Sequence, residues 1–186
     1  MRIISARVAL VCAAMMLTGC AHYATGRYTI ATDNAVALRS MSGMQVNVGA
    51  FTDAKNTTEI SCHMHGPVST LDGETFASFI RKAFVDELKM SGVYSASAPV
   101  TVSGRLDTVD YKTAFGTEWD FTVTLTASNG KTATVTETYV YRGSKVRWDA
   151  GGECEQVALA FVPGVQNLVG KMIAQLPMLT SDTGGS

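Results

Sequence analysis

Histidine is scarce in this chain, with three in 186 residues, and the motifs that hold phosphates or catalytic metals are missing. Gly-x-Ser-x-Gly, glycine-rich phosphate loops and His-Glu-x-x-His are all absent. His22 lies near the N-terminus, which leaves only His63 and His65 as bases in the body of the chain, and both fall in a polar stretch. A Ser-His-Asp or Cys-His site needs a base held by packing and oriented by an acid. That requirement points away from an enzyme. Asp107, Asp110, Glu118 and Asp120 flank predicted strands, where carboxylates are normally solvated. A charge excess is lacking too. The 15 Lys and Arg stand against 16 Asp and Glu, which removes the electrostatic case for nucleic acid or for a polybasic membrane contact. Beyond the N-terminal apolar run, no stretch is expected to reach membrane-spanning length.

The N-terminal run is the most informative segment present. Arg2 and Arg7 precede Val8 to Leu17, an apolar stretch too short to span a bilayer. It leads into Leu17-Thr18-Gly19-Cys20, which resembles the lipobox of bacterial lipoproteins. The resemblance implies a diacylglyceryl thioether on Cys20, cleavage between Gly19 and Cys20, and acylation of the new amine. One acyl chain binds membranes only marginally, so a stable anchor takes several. The expected organisation is a signal peptide over 1–19, a lipidated N-terminus and tether over 20–43, one domain over 44–180 and a frayed tail over 181–186. Removing the signal takes away Arg2 and Arg7 and no acid, which moves the formal charge from −1 to −3. In enteric-type sorting, Ala21 after the lipidated cysteine implies delivery to the outer membrane, facing the periplasm.

In that compartment the cysteines sort themselves. Cys12 leaves with the signal, Cys20 carries lipid, and Cys62 and Cys154 remain as an even pair in an oxidising environment, predicting one disulfide. A closure of this size stabilises by ~4–5 kcal/mol in the chain-entropy model.

The periodicities predict the elements. Met44, Val46, Val48 and Ala50 alternate as one face of a strand, with Gly49 marking a bulge or a close approach. Thr52 to Thr70 reads as a long polar loop. Phe76, Phe79, Ile80, Ala83, Phe84 and Leu88 form a helical stripe over Thr75 to Met90, with Asp72 as N-cap and Gly92 at the C′ position. Three strands follow. The first is around Val100 to Leu106, with Val109 and Tyr111 as a candidate extension. The others run from Trp119 to Ala127 and from Ala133 to Tyr141, and Asn129-Gly130 joins them. A second helical region from Glu153 to Leu176 is interrupted at Pro163-Gly164, predicting a kink or two helices, and stops at Pro177. This order predicts an α+β fold, with a small antiparallel or mixed sheet of about four to five strands and two helices on one face. The threonine-rich face is left for water or a partner.

The element order resembles small proteobacterial lipoproteins of the YajG-like type and the periplasmic modules of penicillin-binding-protein activators. The residues that carry it are MQVNVGAF, VDELKMSGVY, VTVSGRL, the Asn-Gly hairpin and the closing helix. These proteins share no single activity, so the resemblance speaks to fold; the leading expectation for function is a non-enzymatic lipoprotein that binds another envelope protein or the cell wall, with a free sheet edge able to accept a partner strand. Trp148, beside Lys145 and Arg147, is the candidate partner contact, the alternative being a ring packed over the end of the core. The competing function is a small-ligand or copper carrier using His63, Met64 and His65 beside Cys62, since imidazole, thioether and thiolate suit copper.

Overall fold

A computed structural model describes residues 22–41, 43–63, 65–113, 116–142 and 150–181. The elements in chain order are β1 (Tyr23–Ala24), α1 (Thr32–Arg39), β2 (Asn47–Asp53), β3 (Glu59–Cys62), β4 (Gly66–Ser69), α2 (Phe76–Met90), β5 (Thr101–Lys112), β6 (Thr117–Ala127), β7 (Thr132–Tyr141) and α3 (Ala150–Thr180). The expected α+β class holds, with two sheets in place of one. A four-stranded sheet has the order β2-β5-β6-β7, and a three-stranded sheet has the order β1-β4-β3. β2 runs parallel to β5, while β5, β6 and β7 form an antiparallel meander.

In β6, Trp119, Phe121, Val123, Leu125 and Ala127 are buried, while the residues between them reach solvent to varying degrees. This is the expected period-two pattern of a sheet covered on one side. α3 covers β6 and β7, and α2 covers β2. The α2 stripe is buried as its spacing requires, and Gly92 takes a positive φ of 72° just past the helix end. The N-cap is Thr75, whose hydroxyl accepts from the Ser78 amide at 3.1 Å. Asp72, the expected cap, pairs instead with Arg27 at 2.9 Å. The alternation in β2 fails after Val48, where the pairing register with β5 shifts. Phe51 is buried and Ala50 is exposed. The cause is Gly49. A Cβ there would collide with the Ser103 hydroxyl, and its carbonyl accepts from Arg81 Nε at 2.6 Å. At the β6–β7 turn only Gly130 has a positive φ, of 87°. Its amide closes a turn onto the Ala127 carbonyl at 2.9 Å, so Asn129 keeps the ordinary hand that a type I turn with a glycine bulge needs.

Four further expectations are corrected. The polar stretch 52–70 is not one loop, because Glu59–Cys62 and Gly66–Ser69 pair as an antiparallel hairpin. α3 runs as one helix through Pro163 and Pro177. Buried Phe161 and Val165 on either side of Pro163 hold it against the sheet, which offsets the hydrogen bond the ring removes. The same helix is long and apolar enough to cross a membrane over Gly152–Thr180, contrary to the expectation of no such stretch. Most of that window is buried, with Val157, Phe161, Leu168, Met172 and Leu176 all fully covered, so it reads as the core helix.

The fourth correction concerns residues 22–41, expected as tether. They belong to the body. β1 pairs in parallel with β4, and α1 buries Leu38 and packs on α3. A buried carboxylate fastens this segment. Glu87 Oε1 accepts from the Tyr28 hydroxyl at 2.6 Å, the Ala31 amide at 2.8 Å and Asn34 Nδ2 at 3.3 Å. Burial, then the hydrogen bond to Glu87, pushes the Tyr28 hydroxyl far above the ordinary phenol range, so it remains a donor. Glu87→Ala removes the acceptor of the Tyr28 hydroxyl and the Ala31 amide, while Asn34 Nδ2 keeps its bond to the Gln166 carbonyl at 3.0 Å. The expected cost is ~2–4 kcal/mol, since donors left without an acceptor away from water keep their desolvation cost. Amides in 28–38 should exchange faster than those of β6. Unchanged exchange in 28–38 would contradict this role of Glu87.

Candidate functional site

The site follows from a mismatch in strand length. β2 leaves the sheet at Asp53, where its carboxylate accepts the Lys55 amide at 2.8 Å and the Thr57 amide at 3.0 Å. Asn56 then takes a positive φ of 49°, which asparagine tolerates better than most residues. The chain turns away, while β5 continues for six residues past its last β2 partner, Leu106. Asp107 bulges out of the ladder between Leu106 and Thr108, and from Thr108 to Lys112 β5 pairs only with β6. Across the gap stands β3, the outer strand of the small sheet.

Between these two edges lies an open groove of about 640 Å³. Consecutive residues line it on both sides, Glu59 and Ile60 from β3 and Arg105 through Asp110 from β5. A sheet face would present alternate residues, so this surface is two strand edges seen end-on. Within it the Tyr111 amide donates to the neighbouring Asp110 side chain at 2.8 Å. A side chain therefore takes the place of a strand carbonyl there. Near the end of the unpaired run, the Tyr111 hydroxyl donates to the Ser61 carbonyl at 2.9 Å and bridges the two sheets. Burial first, then the Asp110 and Glu153 carboxylates, raises the Tyr111 hydroxyl above the ordinary phenol range and keeps it a donor at neutral pH.

The lining is acidic. Asp53, Glu59, Asp107 and Asp110 face Lys55 and Arg105. Burial pulls the Asp107 carboxyl upward, but the Thr124 hydroxyl at 2.6 Å and the Arg105 guanidinium outweigh it and hold Asp107 below the usual carboxylate range. The acids Asp107, Asp110, Glu118 and Asp120 do not form one cluster. Asp107 is engaged by Arg105 and Thr124, while Lys112 ties Asp120 and Glu118 together.

Cys62 and Cys154 are joined as expected, with a Cα–Cα distance of 5.9 Å. Cys62 sulfur is therefore committed and offers no thiolate to copper. His63 lies 3.7 Å from Glu153 and 3.5 Å from the Thr113 hydroxyl, and the His65 amide turns back onto the Cys62 carbonyl. Among the described residues, no group of three or more His, Cys, Asp or Glu side chains is placed to hold a metal. Cys20, Met64 and Trp148 lie outside the described residues. The groove was not anticipated. Asp53 and Asn56, turn-forming residues just after a predicted strand, are the signal that β2 ends early, and the length of β5 is the other half.

No family model and no curated protein sequence matches this chain. Among solved structures, it is similar to protein XCC0632 from Xanthomonas campestris, assigned to DUF330. The identity is 13% and the TM-score 0.53, with 86% of this chain and 100% of that chain covered. A second similar structure, of an uncharacterised protein, has 9% identity and a TM-score of 0.43 over 86% of this chain and 97% of that chain. The first likeness concerns the fold.

Proposed function

We propose that this chain is a lipid-anchored, non-enzymatic lipoprotein of the bacterial outer membrane whose domain receives an extended segment of another envelope protein. The groove between the unpaired edges of β3 and β5 carries the reading. Strand addition draws its affinity from main-chain hydrogen bonds, and both walls here are strand edges. The Leu17-Thr18-Gly19-Cys20 lipobox supports the anchor, and the Cys62–Cys154 bond suits an oxidising compartment. Exposed edges invite self-association unless charge guards them. Four carboxylates against two cations would repel a second acidic edge and favour a strand bearing Lys or Arg.

The test is a photo-crosslinking amino acid at Glu59 or Val109, with Leu159 on the exposed side of α3 as control. Irradiated envelopes should give one dominant adduct from each groove position and none from Leu159. Glu59→Lys with Asp110→Lys should lower the Val109 adduct several-fold. Equal adducts from Leu159, or none from the groove, would contradict the reading.

A further inference from the structure

His22, the first described residue, stands two positions after Cys20 and is already held by the body. The His22 ring lies 2.7 Å from the Ser69 hydroxyl, and Tyr23 already pairs with Val68. Two residues of chain reach ~7 Å at full extension, whereas a compact domain of this length is about 40 Å across. A lipid on Cys20 therefore pins one end of the domain, with no tether to spare.

The parallel pairing shows which end. β1 runs with β4, so chain entering Tyr23 from Cys20 comes from the side of Pro67 and Gly66, where the β3–β4 turn lies. The same end gathers several other features. Cys62 pairs with Gly66 and bonds to Cys154 near the start of α3. Tyr111 bonds to Ser61, and His63 approaches both Thr113 and Glu153. Thr117 pairs with Tyr141 beside Arg142. His63, His65, Lys112 and Arg142 are exposed here, with Glu118 and Glu153 half-buried beside them. The opposite end carries the Asn129-Gly130 turn, tied to Leu179, and exposed Ser97 in the approach to β5.

We infer that the end formed by the β3–β4 turn, the C-terminus of β5 and the disulfide rests on the phospholipid headgroups, with the Asn129-Gly130 turn pointing away. The inference rests on lipidation of Cys20. It also deepens the proposed function, because the unpaired part of β5 is its membrane-proximal half. The strand that fills the groove is then met beside the bilayer.

Lys112→Cys and Ser97→Cys variants provide the test, since both remaining native cysteines of the mature chain, Cys62 and Cys154, are bonded to each other. β5, from Thr101 to Lys112, is about 36 Å long, with position 112 at its end and position 97 before its start. Full-length lipidated protein, fluorescently labelled, is placed in phosphatidylethanolamine–phosphatidylglycerol vesicles containing a headgroup-quencher lipid. Quenching at position 112 should exceed that at position 97 several-fold. Equal or reversed quenching in a chain whose N-terminal peptide carries the lipid mass would overturn the orientation alone. An N-terminal peptide without lipid would overturn the lipoprotein reading and the orientation with it.

Discussion

Replacing Cys62 and Cys154 together by alanine is expected to lower stability by ~4–5 kcal/mol, the chain-entropy value for a bridge closing about ninety residues. The bond spans 92 positions and joins β3 of the small sheet to the start of α3. Both cysteines are fully buried, so the alanines also leave unfilled space under the hairpin. Urea titration of the variant beside the oxidised protein measures the difference. Wild-type protein unfolded and refolded under reductant should fall to nearly the same midpoint. A loss below ~1 kcal/mol would mean that the unfolded chain is little constrained by the bridge. The hairpin forms one wall of the groove, so the variant should also lose the Glu59 photo-adduct before it loses the fold.

Trp119→Ala should cost ~3–5 kcal/mol, the range for deleting a large buried ring. Trp119 is fully buried and lies at the junction of α2, α3 and the large sheet. Its ring centroid is 5.0 Å from Phe161, 5.6 Å from Phe121 and 6.2 Å from Phe76. Its indole N–H donates to the Val157 carbonyl of α3 at 2.9 Å. Trp119→Phe keeps much of the apolar contact and loses the donor, so it should cost clearly less, about 1–2 kcal/mol. Equal losses in the two variants would show that the indole hydrogen bond dominates over the packing. Tyr111 packs 5.6 Å from Trp119 and bridges to Ser61. Trp119→Ala should therefore loosen the Tyr111 end of the groove, while Trp119→Phe should not.

The parts of this fold that are local were legible in the residues. Alternation in β6 and the Phe stripe of α2 report burial directly, because each depends only on the period of its own element. The pairing of Cys62 with Cys154 followed from compartment and count. What escaped depends on contacts between distant segments. Glu87 sits off the apolar stripe and reads as solvated, yet it is fully buried because residues 22–41 fold over that side of α2. Nothing in the polar run from His22 to Ser42 announces that it will pair with β4. β3 and β4, four residues each, are too short to show a period, and Gly66-Pro67 looks like loop. Glu137 occupies a core-facing position on β7 among threonines and tyrosines, and two partners on α3 explain it, Lys171 at 2.6 Å and Asn167 Nδ2 at 3.1 Å. The groove belongs to the same class. It exists because β5 outruns β2, a property of the pairing and not of either strand.

Address, anchor and staple meet in one quantity, the mass of the mature chain extracted from membranes. A chain beginning at Cys20, carrying a diacylglyceryl thioether and an N-acyl group, with Cys62 and Cys154 oxidised, is the predicted result. A chain that keeps residues 1–19, or that begins elsewhere without lipid, would contradict it.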